Sequence, residues 1–186
     1  MLVKYNLDDK GTGHVFERRN IVASCQSEYQ KIEISDLDIL GRVLVLDDII
    51  QLSDLDCDRY HESFAHIPMS NVSNPSRALI LGGGDGILAK ELLKYDNLEI
   101  DLVDIDPEVV RLSKLHLSDL NDNSLINPRV RVHCMDALKF CALSKGDYDV
   151  IYADITDPHP DSPSSSLLGL EAIDTYKNLL APGGIF

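Results

Sequence analysis

A short apolar run that breaks into a glycine-rich turn constrains this chain more than any other stretch. Residues 77–86 read RALILGGGDG, so four glycines surround one acid, Asp85. The run is too short for a helix, and its unbroken apolar character is typical of a strand covered on both faces. Leucines then recur at helical spacing over residues 87–95. A strand, a glycine turn and a helix N-terminus together predict a nucleotide-type site, although a glycine turn alone is also compatible with a simple tight turn.

From this turn onward, apolar runs alternate with helical patterns. Such alternation predicts an α/β fold with a doubly wound, mostly parallel sheet and right-handed crossovers. Because the chain stops at Phe186 in what reads as the opening of a strand, we expect the sheet to be C-terminally incomplete and the chain to be truncated. The predicted strands are 77–82, 100–104, 129–134, 148–153 and one starting near Gly184, and the predicted helices are near 87–95, 107–117, 136–143 and 167–180.

The first 55 residues have a different pattern, that of a small β-hairpin unit. Residues 29–35 alternate like a half-buried strand, and residues 42–52 continue as one longer strand or as two joined at Asp47 and Asp48. A unit of this size cannot hold a large core, so we expect it to pack on the next domain or on a second subunit. A helix near 58–69 and a polar linker at 71–76 follow. We therefore predict two domains, 1–70 and 71–186.

Net charge and composition limit the kinds of molecule that the chain is expected to bind. The formal net charge of -14 disfavours nucleic acid, since a phosphate-tracking surface needs clustered Lys and Arg, and it suits a cationic partner or serves solubility alone. No run approaches the roughly 20 apolar residues of a membrane span, and the N-terminus lacks a signal-peptide core, so we expect a cytoplasmic protein without a membrane partner. The four cysteines and six histidines show no zinc-ligand spacing. We predict no metal site.

Each of the first four predicted strands of the sheet delivers an acid at its carboxyl end. In an open parallel sheet ligands bind at this edge, near the point where the strand order reverses. Four acids in register there are hard to explain as caps and solvated turns alone. The four acids are Asp85, Asp104, Asp136 and Asp154.

Each acid has a chemical use at such an edge. Asp104, about 20 residues beyond the glycine turn, stands where a carboxylate binds ribose hydroxyls, which disfavours a 2′-phosphate ligand. Asp106 is expected to cap the following helix. Asp136 could accept from an adenine amine or cap its own helix. Asp154 and Asp157 could hold a cation, act as a base, or bind a metal, which ranks last.

These residues together resemble the polyamine aminopropyltransferases, meaning spermidine synthase and its spermine and thermospermine relatives. The resemblance covers nearly the whole chain and implies a methyltransferase-like Rossmann sheet preceded by the β-hairpin domain. It also implies a homodimer or higher homo-oligomer. The motifs that carry it are Tyr29-Gln30, VLD at 45–47, IQ at 50–51, YHE at 60–62, GGGDG at 82–86, DID at 104–106, Asp136 and DITDP at 154–158.

The resemblance implies transfer of the aminopropyl group of decarboxylated S-adenosylmethionine to putrescine or a longer polyamine, without a tightly bound cofactor. Decarboxylated S-adenosylmethionine is then a co-substrate. Asp85 would hold its aminopropyl ammonium, Asp104 its ribose and Asp136 its adenine amine. The implied donor-binding residues are Gln30, His61, Gly82, Gly84, Asp85, Asp104 and Asp136.

On the acceptor side, the resemblance implies that Tyr60 and Asp154 orient and deprotonate the attacking amine, with Asp157 helping to bind it. An alkylamine with a pKa near about 10.4 is almost entirely protonated at pH 7, so its attack on the carbon next to a sulfonium needs a base. A partly desolvated carboxylate at a strand end can serve.

Three departures from the family pattern keep other activities open. A small residue commonly follows the glycine turn, and here Ile87 stands there; the ribose acid is the shorter Asp104; and residues 159–168 replace an aromatic-bearing segment. The alternatives are an S-adenosylmethionine-dependent methyltransferase and a non-catalytic nucleoside-binding or dimer-partner homologue. Methyltransferases usually carry an acid where this chain has Ile80. A nicotinamide oxidoreductase fits least, because the acids suit a cation better than a pyrophosphate.

Overall fold

The computed structural model describes residues 1–6, 13–156 and 164–186. Its N-terminal part is a closed five-stranded barrel in which consecutive strands pair antiparallel. The first strand also pairs parallel with the fifth, at Asn6 and Ile49, which closes the barrel and removes the free edges that a set of hairpins would expose. The strands are β1 (Leu2–Asn6), β2 (Gly13–Gln26), β3 (Lys31–Leu37), β4 (Gly41–Leu46) and β5 (Ile49–Ser53).

A two-residue turn separates β4 from β5. Asp47 and Asp48 both have positive φ, 47° and 62°, which is the backbone conformation that a tight antiparallel hairpin requires of its two central residues. Of the two possibilities predicted for residues 42–52, the structure therefore has two strands joined at these aspartates.

The second part is a five-stranded sheet in the order β10-β9-β6-β7-β8 with all its neighbours parallel. This order confirms the predicted doubly wound fold. It reverses between β6 and β9, and in sheets of this kind ligands bind at the carboxyl ends beside such a reversal. The strands are β6 (Arg77–Gly82), β7 (Glu99–Asp104), β8 (Val130–Cys134), β9 (Tyr148–Asp154) and β10 (Leu180–Ile185).

Helices cover both faces of the sheet. The predicted helix at 167–180 is observed at Leu170–Leu179, with a separate short helix before it at Ser164–Leu167. The last strand begins at Leu180, four residues before the predicted Gly184. Among the described residues, no helix is both long enough and apolar enough to cross a membrane. The helices are α1 (Cys57–Met69), α2 (Ile87–Leu92), α3 (Pro107–His116), α4 (Ser118–Asn121), α5 (Ala137–Leu143), α6 (Ser164–Leu167) and α7 (Leu170–Leu179), with a 3-10 turn at Ser124–Ile126.

The barrel packs on the sheet domain through a shared apolar core. Ile32 and Ile34 of β3 belong to the same buried cluster as Val109 and Leu112 of α3. This confirms that the N-terminal unit packs on the next domain. Ile87, the bulky residue after the glycine turn, also lies in this cluster and is fully buried.

Candidate active site at the carboxyl ends of the strands

The glycine turn after β6 is closely bordered by acidic residues of both neighbouring strands. Gly82 has a φ of +87°, and a Cβ atom there would lie 2.0 Å from the carbonyl oxygen of Asp154. A Cβ atom on Gly84 would lie 2.5 Å from Oδ2 of Asp104. Glycine is therefore required at both positions, because Asp104 and Asp154 pack directly against the turn.

Asp85 lies in this turn, two residues before α2 begins. Its Oδ1 accepts a hydrogen bond of 2.8 Å from the backbone N–H of Ile87. The side chain of Asn121 donates to the Asp85 carbonyl oxygen at 2.8 Å. These contacts fix the turn from both sides and hold the Asp85 carboxylate at the switch point of the sheet.

Asp104 ends β7 and binds the glycine turn through its side chain. Oδ2 accepts from the N–H of Gly84 and Oδ1 from the N–H of Asp106, each at 2.9 Å. Burial raises the pKa of Asp104 from 3.8 to about 6; these two hydrogen bonds oppose the rise, and the charges of Asp106 and Asp85 add to it. Each oxygen keeps a further acceptor site, so ribose hydroxyls can still be bound.

Asp154 ends β9 and faces His61 of α1. The distance from His61 Nε2 to Asp154 Oδ2 is 4.0 Å, and that buried oxygen has no hydrogen-bond partner among the described residues. Burial, with the charges of Asp85 and Asp104, raises the pKa of Asp154 well above its usual range. His61 Nδ1 lies 2.8 Å from the carbonyl oxygen of Cys57. Since a carbonyl only accepts, Nδ1 carries the proton and Nε2 directs its lone pair toward the acids.

Three of these side chains form a compact cation seat. His61, Asp85 and Asp154 each place one ligand atom within 4.8 Å of the others. Within the described ranges, no Lys or Arg side chain forms an ion pair with Asp85, Asp104 or Asp154. Such a group of one imidazole and two carboxylates can bind a divalent metal ion or a primary ammonium. The sequence separates these residues by as many as 93 positions and gives no signal of their spacing.

The other predicted site residues include Tyr60, which lies beside this seat, and Asp136, which caps a helix. Tyr60 packs edge-on against His61, with ring centroids 4.9 Å apart, and is 61% exposed. It lines a shallow, mostly apolar depression on α1 with Phe64 and Ile67. Asp136 caps α5, its Oδ1 accepting from the N–H of Lys139 at 2.8 Å. Asp157 lies outside the described residues.

Gln30 forms a hydrogen bond with Asp106, for which the sequence predicted only a role as a helix cap. Its Nε2 donates to Asp106 Oδ2 at 3.0 Å, and Ser27, which sequence analysis missed, donates to the same oxygen at 2.6 Å. Asp106 also caps α3 as expected. Ser27 and Asp106 are 79 positions apart, and no local sequence pattern predicts a contact over that distance. The only sequence signal near this contact is the hairpin turn before Gln30.

Comparisons with known proteins agree with this geometry. Residues 57–186 match a family model described as the spermine/spermidine synthase domain, and residues 5–54 match one described as the spermidine synthase tetramerisation domain. The polyamine aminopropyltransferase of Oceanobacillus iheyensis is 42% identical over 162 residues, 86% of this chain and 31% of that protein. Polyamine aminopropyltransferase 1 of Hyperthermus butylicus is 38% identical over 177 residues, 93% of this chain and 61% of that protein.

Solved structures give the same result. A crystal structure of spermidine synthase in complex with the transition state analogue AdoDATO superposes with a TM-score of 0.91 at 28% identity, covering 97% of this chain and 61% of that one. Spermidine synthase from Thermotoga maritima superposes with a TM-score of 0.88 at 28% identity, with coverages of 97% and 60%. The chain spans between 31% and 61% of the length of these four proteins.

Proposed function

Because the chain belongs to the spermine/spermidine synthase family, we propose that it transfers the aminopropyl group of decarboxylated S-adenosylmethionine to putrescine, forming spermidine. The observation that carries this proposal is the seat formed by His61, Asp85 and Asp154, in which two partly buried carboxylates lie without a Lys or Arg partner among the described residues. Buried carboxylates without counter-ions are costly unless a ligand supplies the positive charge. Donor and acceptor here are both cations.

On the donor side, the carboxylate of Asp85 binds the aminopropyl ammonium. Asp104, held against Gly84 by a hydrogen bond of 2.9 Å, accepts from the ribose hydroxyls, and Asp136 accepts from the adenine amine. Gln30 and His61 line the nucleoside, and the absence of side chains at Gly82 and Gly84 lets it approach the backbone.

On the acceptor side, Asp154 removes the proton from the attacking amine while Tyr60 orients it. The amine nitrogen forms a bond to the carbon next to the sulfonium, the carbon–sulfur bond breaks, and its electron pair returns to sulfur to give methylthioadenosine. The proton goes to Asp154, whose burial raises its pKa and so makes the ionised carboxylate a stronger base. Asp157 binds the same amine. The apolar surface of Tyr60, Phe64 and Ile67 suits the acceptor's methylene chain.

The position of Ile80 favours this donor over S-adenosylmethionine. Ile80 is fully buried in the core of the sheet, and the only acid of the glycine turn is Asp85. A donor that retains its carboxylate would place a negative charge near Asp85. The decarboxylated donor should therefore raise the melting temperature more than S-adenosylmethionine does. The reverse order would favour a methyltransferase.

The direct test is product formation. The chain is incubated with decarboxylated S-adenosylmethionine and putrescine, and methylthioadenosine and spermidine are measured. Spermidine and cadaverine are offered as acceptors in parallel. Formation of methylthioadenosine only when an amine is present would support the proposal. No methylthioadenosine with any of the three acceptors, despite donor binding, would instead favour a non-catalytic nucleoside-binding homologue.

A chelator separates the two cations that the seat can hold. If an ammonium group occupies it, turnover should be unchanged after dialysis against EDTA, and added Zn²⁺ should inhibit in competition with the substrates. Loss of activity on dialysis, restored by a metal ion, would contradict the prediction that the site needs no metal.

We also propose that the chain forms a homodimer or higher homo-oligomer through residues 1–70, with residues 71–186 as the catalytic domain. The match of residues 5–54 to a tetramerisation domain supports this assembly. Val15 and Ile21 of β2, 61% and 49% exposed, offer apolar surface on the barrel. Light scattering after size exclusion should give a multiple of 20.7 kDa. A monomer at micromolar concentration would contradict the proposal.

A further inference from the structure

Asp106 is a fully buried acid in the turn between β7 and α3. Its Oδ1 accepts from the N–H of Glu108 at 3.0 Å, which is the ordinary work of a helix cap. Its Oδ2 makes two further hydrogen bonds that are not part of helix capping: it accepts from Ser27 and Gln30 of the barrel at 2.6 Å and 3.0 Å. One carboxylate thus joins the sheet domain to the loop between β2 and β3.

Ser27 organises the barrel side of this junction. Its Oγ accepts from the N–H groups of Tyr29 and Gln30, each at 3.0 Å, and its own N–H donates to the Gln30 carbonyl at 2.9 Å. The loop is thereby folded into a compact turn whose hydroxyl is directed at Asp106. The conformation of Gln30 is set by the same hydroxyl.

The junction continues to the glycine turn. The N–H of Asp106 donates to Asp104 Oδ1, and the N–H of Gly84 donates to Asp104 Oδ2, both at 2.9 Å. A single chain of hydrogen bonds therefore runs from Ser27 through Asp106 and Asp104 to Gly84. It connects two residues from separate parts of the fold, Gln30 and Asp104, that must contact the same nucleoside under the proposed function.

We propose that Ser27 and Asp106 are a positioning pair that holds Gln30 and Asp104 in place for the nucleoside of the donor. This inference rests on the proposed function. Neither residue needs to touch the ligand, because preorganised groups lose less conformational freedom when the ligand binds. Asp106 has to be a carboxylate, since all three groups that reach its oxygens are donors and an amide would turn a donor toward one of them.

The test compares nucleoside affinity in matched variants by calorimetry with methylthioadenosine. Ser27→Ala and Asp106→Asn should each raise the dissociation constant about tenfold, the size expected for one lost hydrogen bond to a charged group. The kcat at saturating donor should fall less than about threefold, since Asp154 is untouched. Ser27→Thr, which keeps the hydroxyl, should restore affinity.

Two controls separate positioning from general stability. Asp149 at the opposite end of the sheet also accepts three hydrogen bonds, from Ser76 N, Ser76 Oγ and Arg77 N. Asp149→Asn should lower the melting temperature without changing nucleoside affinity. If Ser27 acts through Gln30, the double variant Ser27→Ala/Gln30→Ala should bind no worse than Gln30→Ala alone.

The outcomes distinguish this inference from the proposed function. Wild-type affinity in Ser27→Ala, or additive losses in the double variant, would overturn the positioning role and leave aminopropyl transfer standing. An equal loss of affinity in Asp149→Asn would show that the effect is one of stability. A wild-type protein that binds no methylthioadenosine would overturn both.

Discussion

At the amino ends of the parallel strands, acids are paired with donors and cations, whereas at the carboxyl ends they lie near one another. Asp149 accepts three hydrogen bonds from Ser76 and Arg77, and these contacts lower its pKa despite its partial burial. Asp101 contacts Arg77, His133 and the hydroxyl of Tyr148. These acids are neutralised within the fold.

At the carboxyl ends of the strands, aspartates lie near other aspartates and have few donors or cations around them. Burial raises the pKa of Asp104 to about 6, and burial also raises the pKa of Asp154 well above its usual range. Among the described residues no Lys or Arg side chain forms an ion pair with these acids, and the His61 imidazole lies 4.0 Å from Asp154. The difference indicates that one end of the sheet stabilises the fold, while the other holds unneutralised charge for a cationic ligand.

Of the variants that test this difference between the two ends of the sheet, Asp154→Asn should show the largest effect, a loss of turnover. If Asp154 is the general base, as proposed, its removal should lower kcat by about 10²–10⁴-fold while the dissociation constant for methylthioadenosine changes less than about twofold. Asp149→Asn is the matched control and should keep wild-type kcat. Steady-state kinetics and calorimetry give both quantities. A parallel loss of kcat and nucleoside affinity in Asp154→Asn would mean that Asp154 is structural.

The next effect is the pH dependence of nucleoside binding. With a pKa of about 6, Asp104 is mostly ionised at pH 7 and roughly one tenth ionised at pH 5. Under the proposed function the ionised Asp104 accepts from the ribose hydroxyls, so affinity for methylthioadenosine should fall about tenfold from pH 7 to pH 5. Asp104→Asn should bind weakly and with little change across this range. A flat wild-type profile would remove Asp104 from ribose recognition.

Stability should show a smaller effect at the amino ends. The lowered pKa of Asp149 means that its contribution is present above the usual carboxyl pKa and is lost as the pH falls through the folded value. Asp149→Asn should therefore lower the free energy of unfolding by about 1–3 kcal/mol at pH 7, and by progressively less as the pH falls below the usual carboxyl pKa. Urea unfolding at pH 7 and at a pH below the usual carboxyl pKa measures this. An unchanged difference between the two pH values would contradict the charge-based account.

The smallest effect has the opposite sign. Because the pKa of Asp154 is raised, its ionised form costs stability above the usual carboxyl pKa, and this cost disappears at low pH when the group is protonated in both states. Asp154→Asn should raise the melting temperature of the ligand-free protein at pH 8, by about 2–4 °C for each kcal/mol of relief. Near pH 3 the two proteins should melt alike. Destabilisation at pH 8 would show that a partner offsets the Asp154 charge.

The order of strands and helices was accessible from the sequence because the signals are local. The apolar run at 77–82, the glycine turn and the caps at Asp106 and Asp136 depend on residues a few positions apart, and the structure confirms each of them. The parallel, doubly wound type of sheet followed from general rules of chain connection, whereas its strand order came only from the structure. The closed barrel was harder to predict from the sequence, because its closure depends on one pairing between β1 and β5 that a pattern of hairpins does not indicate.

The sequence by itself determined which acids reach the carboxyl ends of the strands, because a strand and its following turn fix that position. Only the tertiary structure decided what surrounds them. It placed His61 within 4.0 Å of Asp154, joined Ser27 and Gln30 to Asp106 across the domain boundary, and left Asp154 Oδ2 buried with no hydrogen bond from the part of the chain that the structure describes. Such contacts join positions 76 or more apart in the chain, so they arise from packing between elements and leave no periodic signal in the sequence.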